Sequence, residues 1–368
     1  MSENIVIAGG GVIGLSVAWR AAAAGHRVRL VDPEPGRGAS WVAGGMLAPV
    51  TEAWPGEEDT LDLGQESLRR WPGFAEDLAA DGGDPGLSLA GTVVVAHDSA
   101  DAEQLRVLGE YLVALGRSAE SLTGRELGRL VPGLSVRSGL SVPGDLAVDN
   151  RKLLTALLAA ARKRGVEFVP REVTGIRPGA VVAGAELRCD AVVIAAGARS
   201  GRLHPALAGL VRPLKGEILR LKPARGCLPP PDRTVRAVVE GRPIYLVPRA
   251  DGEIVLGATQ YEAGFDEAVT AKGVRELLEG AERVFPAIAE YELTEIAAGL
   301  RAASVDTLPV LGELEPGVLA ATGHHRNGLL LAPVTADAVL AMLGGAPLPP
   351  HVGPTAPARA HSMIPEGA

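Results

Sequence analysis

Cysteine is scarce in this sequence, with only Cys189 and Cys227 among 368 residues. Two cysteines in unrelated sequence contexts supply neither a disulfide framework nor a four-thiolate metal site. Such scarcity is typical of proteins from reducing compartments. We therefore expect a cytoplasmic protein without structural disulfides and without a bound metal.

Long apolar runs and an excess of basic residues are also lacking. No uninterrupted stretch approaches the roughly 20 apolar residues of a transmembrane helix, and residues 1–4 lead into a strand pattern without the regions of a signal peptide. Lys and Arg number 36 against 44 Asp and Glu, a formal net charge of −8. Because phosphate backbones require concentrated positive charge, we expect neither a membrane span nor a nucleic-acid partner.

What the chain does contain is enough apolar material for more than one core. Its 368 residues exceed the usual size of a domain with one core, so we expect two domains. The 47% hydrophobic content gives each domain enough apolar residues for a core of its own. The 47 glycines and 28 prolines are scattered between periodic segments and form no long linker. From about residue 347 onward, Pro, Ala and Gly predict a tail with little fixed structure.

Hydrophobic periodicity predicts an α/β chain with a β-rich second half. Strands are predicted over residues 4–10, 27–32, 92–97, 166–169, 191–196, 217–221, 237–239, 244–248, 254–257 and 318–322. Helices are predicted over residues 14–24, 62–80, 102–115, 124–130, 150–164, 271–284 and 335–343. Asp149 or Asn150 is the predicted N-cap of the fifth helix. The strands after residue 214 indicate a mixed sheet, and the α/β segments around them indicate a discontinuous nucleotide-binding domain.

The strongest local motif is GGGVIG at residues 9–14, which satisfies G-x-G-x-x-G between a strand and a helix. Gly9, Gly11 and Gly14 permit a tight turn and a close approach of the backbone to a pyrophosphate, which the helix N-terminus attracts. Asp32 ends the second strand, where a carboxylate accepts hydrogen bonds from ribose hydroxyls. The alternative is a glycine-rich turn without a ligand, and the motif alone fits NAD as well as FAD.

A second motif, GASWVAGGMLAP at residues 38–49, resembles the segment that lies beneath the flavin in flavin amine oxidases. Further segments, VVIAAGA at 192–198, IYLVPR at 244–249, VLGAT at 255–259, AGLR at 298–301 and GHHRNGLLLAP at 323–333, resemble the D-amino acid oxidase superfamily. Together they are most similar to the glycine oxidases of bacterial thiamine biosynthesis, over residues 4–343. The alternative for the second motif is a flexible Gly/Ala loop. The alternative for the whole chain is an NAD dehydrogenase, which would account for the first motif but would leave these segments unexplained.

The resemblance implies a Rossmann-like FAD-binding domain formed by residues 1–85, 145–213 and 305–350. It also implies a β-rich α+β substrate-binding domain formed by residues 86–144 and 214–304. Residues 351–368 are expected to form a tail. The FAD is expected to be noncovalent, because no cysteine follows Arg301. The implied cofactor-binding residues are Gly9, Gly11, Val12, Ile13, Gly14, Asp32, Ala39, Ser40, Gly44, Gly45, Met46, Val173, Ala196, Gly197, Arg326, Asn327, Gly328 and Leu329.

Three positions depart from the family pattern. Asp32 stands where Glu is more common, Gly44 replaces an Ala, and Ala302 follows Arg301 where proline is common. The shorter carboxylate of Asp32 retains the same chemistry. The other two changes remove no functional group, and we expect them to alter only the stiffness of the backbone.

The resemblance also implies a substrate site. Arg301 is the expected anchor of the substrate carboxylate, since a guanidinium binds a carboxylate through two parallel hydrogen bonds. Tyr245 is expected to donate a hydrogen bond to the same carboxylate, and Arg326 is expected to lie near substrate and flavin. Without the resemblance, Tyr245 would be interpreted as a core residue, and Arg301 and Arg326 as surface residues. No catalytic side chain is assigned. His324 and His325 are expected to be polar or packing residues.

Lys215 and Lys222, which flank a predicted strand, are interpreted as ordinary solvated charges. They are therefore left out of the site.

The implied reaction is the oxidation of glycine, sarcosine or D-alanine by hydride transfer from Cα to flavin N5. Oxygen then yields hydrogen peroxide, and the imine gives an oxo acid and ammonia or passes to a thiazole synthase. A D-amino acid or sarcosine oxidase, a dehydrogenase with another electron acceptor, and a noncatalytic flavin-binding subunit are the alternatives. The resemblance also implies a homo-oligomer.

Overall fold

The computed structural model describes residues 2–362 of the chain. Within them lie eight α-helices: α1 (Val12–Ala23), α2 (Ala39–Val42), α3 (Glu58–Gly82), α4 (Ser99–Ala114), α5 (Gly124–Leu130), α6 (Asn150–Lys163), α7 (Ala271–Val284) and α8 (Ala332–Leu343). Short 3-10 helices span Gly197–Arg202, Pro205–Leu207, Pro286–Glu290, His325–Asn327, Pro350–Thr355 and Pro357–Ser362.

The same residues form twenty strands in four sheets. They are β1 (Asn4–Ala8), β2 (Arg27–Val31), β3 (Met46–Leu47), β4 (Leu87–Ser88), β5 (Thr92–Ala96), β6 (Glu120–Thr123), β7 (Ser138–Val142), β8 (Leu146–Val148), β9 (Glu167–Val169), β10 (Gly175–Arg177), β11 (Ala180–Val182), β12 (Glu186–Arg188), β13 (Ala191–Ile194), β14 (Val211–Pro223), β15 (Thr234–Val239), β16 (Arg242–Pro248), β17 (Ile254–Gly257), β18 (Tyr291–Ser304), β19 (Val310–Glu315) and β20 (Val318–Thr322).

The first sheet has six strands in the order β19-β20-β13-β1-β2-β9. All neighbours are parallel except β19, which runs antiparallel to β20. Apolar residues on both faces of β1 are buried: Ile5 and Ile7 lie in the cluster formed with the helices, and Val6 lies in a cluster with Val181 of the small sheet β10–β12. Helix α1 is apolar on most of its surface and packs against α6 and α8, with the buried ring of Trp19 edge-on to Phe74 at a centroid distance of 5.3 Å.

The second sheet has eight strands in the order β18-β14-β17-β16-β15-β5-β7-β6. On its central strands the side chains alternate between two environments. Ile244 and Leu246 pack with Leu277 of α7 in an apolar cluster on one face. Tyr245, between them in sequence, faces the opposite side. The alternation therefore gives this sheet one face for the core and one for a cavity.

The mixed α/β fold is confirmed, and most predicted elements are present with their ends shifted by a few residues. The predicted helix at 62–80 is longer and passes through Pro72. Asp149 is the N-cap of α6, accepting hydrogen bonds from the backbone N–H groups of Arg151 and Lys152. The predicted strand at 217–221 extends over residues 211–223, because it pairs along its length with β18, a strand that the sequence pattern did not predict.

The interpretation of Lys215 as a solvated charge is wrong. Lys215 is 2% exposed, and its Nζ donates to Asp266 at 2.8 Å and to the carbonyl of Ala268 at 2.9 Å. Lys222 is a surface charge, as expected, and pairs with Asp251 at 3.0 Å.

The region after residue 347 was expected to have little fixed structure, but it forms two 3-10 helices, and Val352 and Thr355 are fully or almost fully buried. Residues 363–368 of the predicted tail lie outside the described residues. The strands of the six-stranded sheet fall within the ranges 1–85, 145–213 and 305–350, and the division into two domains with those boundaries remains a prediction.

Candidate active site

The carboxyl ends of β1, β2, β13 and β20 lie at one edge of the six-stranded sheet, where an open α/β sheet binds its ligands. Neighbouring backbone segments lie very close together at Gly9, whose φ is +113°. A Cβ atom at Gly9 would lie 2.3 Å from the carbonyl oxygen of Ala195, and one at Gly14 would lie 1.9 Å from the carbonyl oxygen of Gly9. Glycine at both positions is therefore a steric requirement of this turn.

The N-terminus of α1 is prepared for an anion. Gly11 is its N-cap without a capping side chain, and no acidic residue occupies the first turn, so the positive end of the helix dipole is available. Ser40 Oγ accepts a hydrogen bond from the Val12 N–H at 3.0 Å and retains its hydroxyl hydrogen for donation. Asp32 directly follows the neighbouring strand β2 and accepts a hydrogen bond from the Gly10 N–H at 2.7 Å.

The other predicted cofactor residues surround the same edge. Ala196 and Gly197 follow β13, and the Cα of Ala196 would lie 2.8 Å from a Cβ at Gly9. Asn327 is 6% exposed in the turn after β20. Val173 is half-buried in the apolar cluster that contains Val31 and Val192. This arrangement of glycines, helix N-terminus and carboxylate fits the adenosine and pyrophosphate portions of FAD.

A cavity lies between this edge and the uncovered face of the eight-stranded sheet. It is lined by all five predicted cofactor residues of the second motif and by all three predicted substrate residues. The predicted residues along its wall are Val12, Ala39, Ser40, Gly44, Gly45, Met46, Tyr245, Arg301, Arg326, Gly328 and Leu329. The structure therefore brings together segments separated by more than 300 residues of sequence.

Tyr245 lies on β16 with its ring between two glycines. Its cross-strand neighbour is Gly257, where a Cβ would lie 2.3 Å from the phenol oxygen; a Cβ at Gly44 would lie 2.8 Å from the same oxygen. Burial is the main cause that raises the pKa of Tyr245, so the phenol is protonated at neutral pH and can donate. Gly44, a departure from the family pattern, thus makes room for the ring.

Arg301 lies on β18 with its guanidinium against Gly216 of β14, where a Cβ would lie 2.2 Å from Nη1. Nη1 donates to the carbonyl of Thr259 at 3.2 Å. Within residues 2–362 no carboxylate forms an ion pair with this guanidinium. Burial lowers the pKa of Arg301, while Tyr245 and Glu52 act in the opposite direction. Arg301 is therefore a desolvated cation available to an anionic ligand.

Arg326 has a different environment, because carboxylates already surround it. Its Nε lies 3.3 Å from Glu52, and its Nη2 lies 3.0 Å from Glu57. Burial acts to lower the pKa of Arg326, but the two carboxylates raise it overall. The second oxygen of Glu52 lies 3.4 Å from Nη2 of Arg236 on β15. Arg326 thus lines the cavity within an ion-pair cluster.

Sequence reasoning missed Glu52 and Arg236. Arg236 interrupts an apolar alternation on β15, with Val235 and Ala237 buried beside it, and such a charged residue was an available signal. It is the cross-strand neighbour of Tyr245, so the sheet register places it on the cavity face. Glu52 had no signal, because it stands in an irregular segment whose position depends on tertiary contacts.

The two histidines are neutral in this environment. Burial lowers the pKa of His324 to about 3, and its Nε2 lies 2.9 Å from the hydroxyl of Thr335. Burial first, and then the nearby Arg326, lower the pKa of His325 to about 3. His325 lines the cavity. Both remain uncharged at neutral pH, consistent with the expected polar role.

A buried network, also missed from the sequence, supports the motif at residues 38–49. Arg249 Nη2 donates to the Gly44 carbonyl at 2.8 Å and to the side-chain oxygen of Asn150 at 3.0 Å. The amide nitrogen of Asn150 donates to the carbonyls of Ser40 and Trp41 at 2.9 and 2.8 Å. Burial lowers the pKa of Arg249 to about 10. The network fixes the loop that faces the cavity.

Asp145 supports the segment that carries Glu52 and predicts a pH effect. It is fully buried, accepts hydrogen bonds from the N–H groups of Val50 and Thr51, and has its pKa raised to about 6 by burial. Because the folded state holds this proton more tightly than the unfolded state, the contribution of Asp145 to stability should fall as pH rises from about 4 to 6, by up to about 3 kcal/mol. The measurement is the urea midpoint of wild type and Asp145→Asn at several pH values.

In that experiment the wild-type protein should lose stability relative to Asp145→Asn as pH rises through this window. The variant lacks the titrating group and loses one acceptor, so it should be less stable at pH 4. A difference between the two proteins that does not change between pH 4 and 7 would contradict the assignment.

Two further features of the described chain concern metals and membranes. Among residues 2–362 no three His, Cys, Asp or Glu side chains converge as metal ligands. Cys189 and Cys227 are half-buried free thiols. No helix in this part of the chain has the length and apolar character to cross a membrane.

Comparison with known proteins gives a consistent result. Residues 4–342 match the family model described as DAO, FAD dependent oxidoreductase. A glycine oxidase of Pseudomonas aeruginosa is 33% identical over 94% of this chain and 96% of its own length. A glycine oxidase structure from Geobacillus kaustophilus superposes with a TM-score of 0.89 at 31% identity, covering 96% of this chain and 98% of the other.

A relative from Nostoc sp. named bifunctional protein ThiO/ThiG is 34% identical over 91% of this chain. The chain spans about half the length of that relative, 52%.

Proposed function

This chain belongs to the DAO family of FAD-dependent oxidoreductases, and from that premise we propose that it oxidises glycine and other small amines such as sarcosine and D-alanine. The products are the imine, or the oxo acid and the amine that follow from its hydrolysis (ammonia from glycine and D-alanine, methylamine from sarcosine), and hydrogen peroxide from oxygen. The glycine oxidase relatives, which match over nearly their whole length, support this substrate class. The cofactor is FAD, held without a covalent bond.

The observation that carries the proposal is that Arg301 faces the cavity without a carboxylate counter-ion among residues 2–362. This guanidinium lines the cavity beside Tyr245, with a backbone carbonyl as its hydrogen-bond partner and no ion-paired carboxylate among residues 2–362. A buried cation without a counter-ion is costly, and a ligand carboxylate supplies that counter-ion. The tyrosine hydroxyl donates a further hydrogen bond to the same carboxylate. A small amino acid meets both requirements.

The residues of the chain position the substrate. Gly9, Gly11 and the N-terminus of α1 would hold the pyrophosphate of FAD, with Asp32 on the ribose and residues 39–46 beside the flavin ring. Bound FAD supplies the acceptor for hydride from the substrate Cα. Arg301 and Tyr245 fix the carboxylate, and this restricts how Cα is presented. His325 lines the same cavity as an uncharged group and therefore adds no positive charge against the substrate amine.

We also propose partners and a location. The Nostoc relative joins a ThiO part to a ThiG part, which supports the proposal that the imine made here serves thiazole synthesis for thiamine. The two free cysteines are compatible with the cytoplasm, where we propose that the protein acts as a homo-oligomer.

The test begins with the purified, flavin-loaded protein. Glycine added without oxygen should bleach the flavin absorbance, and glycine with oxygen should yield one peroxide per substrate oxidised. A panel of glycine, sarcosine and D-alanine gives the order of preference from kcat/KM. Bleaching without peroxide indicates a dehydrogenase with another acceptor, and a flavin spectrum unchanged by all three substrates excludes the proposed function.

A further inference from the structure

We propose that Glu52 makes the site selective for substrates with a single carboxylate, because it occupies the two arginines that would otherwise bind a second one. The inference rests on the proposed function, since it concerns the substrate of the same cavity. It assigns Glu52 a role in specificity and assigns Arg236 and Arg326 as the latent second anion site.

The geometry of the cluster supports this assignment. Glu52 uses both carboxylate oxygens, one 3.4 Å from Arg236 Nη2 and the other 3.3 Å from Arg326 Nε. All three side chains line the cavity that contains Arg301. The side chain of Glu52 is 12% exposed and that of Arg236 is 18% exposed. Glu52 thus bridges two cations at the cavity wall, in the position that a ligand carboxylate would take.

The three arginines of the cavity therefore differ in what they offer a ligand. Arg301 has no carboxylate partner within residues 2–362, whereas Arg236 and Arg326 are already paired. A second carboxylate on the substrate would meet Glu52 before either arginine, and two carboxylates that share a poorly solvated space repel each other strongly. A substrate with one carboxylate escapes this repulsion, because Arg301 and Tyr245 bind that group.

The same contacts argue against a base role for Glu52. Each of its oxygens is already engaged by a guanidinium, so neither is left free to face the substrate. Asp145 holds the N–H groups of the preceding residues Val50 and Thr51, so the segment that carries Glu52 is fixed to the protein core. A fixed, doubly paired carboxylate is suited to excluding anions.

Glu57 provides a matched control. It pairs with Arg326 at 3.0 Å, its side chain is 25% exposed, and it is not part of the lining of the large cavity. Removing its charge frees one contact of Arg326 but leaves Glu52 between the two arginines. Glu57→Gln should therefore leave anion selectivity unchanged, whereas Glu52→Gln should change it.

The test compares wild type, Glu52→Gln and Glu57→Gln as flavin-loaded proteins. Acetate and malonate, which differ by one carboxylate, are titrated while the flavin spectrum is recorded, so that binding is measured without turnover. The ratio of the acetate Kd to the malonate Kd should rise at least tenfold in Glu52→Gln and stay within twofold of wild type in Glu57→Gln. In kinetics, kcat/KM for iminodiacetate relative to sarcosine should rise in parallel.

Two more variants keep the inference testable if Glu52→Gln loses its flavin. Glu52→Ala should show the same gain for malonate, and the double change Glu52→Ala with Arg236→Gln should lose most of it. An unchanged Kd ratio in the Glu52 variants, or an equal gain in Glu57→Gln, overturns the inference. The binding arm is independent of glycine turnover, so failure of the proposed function and failure of this inference give different results.

Discussion

Replacing Arg301 by alanine should lower kcat/KM for glycine by a factor between about thirty and several thousand. Truncating one partner of a buried, hydrogen-bonded charge pair costs about 2–5 kcal/mol, and each 1.4 kcal/mol corresponds to a factor of ten. The loss should appear mainly as a higher KM, because the flavin site is left intact. The kcat/KM of Arg301→Lys for glycine should lie between those of wild type and Arg301→Ala, since lysine retains the charge but not the planar pair of donors. Steady-state peroxide production measures all three.

The control for this prediction is Arg275→Ala. Arg275 lies on α7, which packs on the opposite face of the same sheet, and its side chain is 68% exposed. It should retain wild-type kinetics. Flavin absorbance and the melting temperature establish that both variants are folded. If Arg301→Ala retains flavin and oxidises glycine with an unchanged KM, Arg301 does not bind the carboxylate and the substrate site must be assigned again.

Gly14→Ala should yield a protein that purifies without FAD. The added Cβ would lie 1.9 Å from the carbonyl oxygen of Gly9, a distance that no packed structure tolerates, so the turn must open or α1 must shift. Either change moves the helix N-terminus away from the pyrophosphate and removes the close approach that glycine permits. The ratio of flavin to protein absorbance after purification measures the effect, and titration with free FAD gives the Kd.

Gly73→Ala is the matched change in a helix. Gly73 lies within α3, and a Cβ there would have no neighbouring heavy atom within 4 Å. Alanine in an open helical position is favoured over glycine by about 1 kcal/mol, so this variant should keep its flavin and gain slightly in stability. A Gly14→Ala protein that is as yellow as wild type would show that the turn does not contact the cofactor in the proposed way.

The chemistry of the candidate site was readable from the sequence where it lies in short, contiguous motifs. The GGGVIG turn depends on local geometry, since a tight turn and a helix N-terminus require small residues at fixed spacing. Arg301 and Tyr245 were found through the resemblance of their segments to a family; the residues themselves fit surface or core roles equally well. The predicted cofactor and substrate residues as a set remain a proposal that the variants above will test.

Residues whose role depends on distant partners could not be identified from the sequence. Lys215 reads as a surface charge, and only its burial beside Asp266 reveals an internal ion pair. The strand β18 has a mixed pattern that favours no element by itself, yet it pairs along the whole of β14. Long-range pairing of this kind is set by the partner strand, and a single segment carries little information about it.

The sequence by itself determined the α/β class, the dinucleotide turn and the residue types that can bind a carboxylate, because each depends on neighbours a few positions apart. Only the tertiary structure shows which arginines of the cavity are already paired with a carboxylate. Arg301, Arg236 and Arg326 have the same side chain, but Glu52 forms ion pairs with the second and third and not with the first. The reason is physical: charge pairing depends on distance and burial in three dimensions, and residues 52, 236, 301 and 326 acquire these only when the sheets pack together.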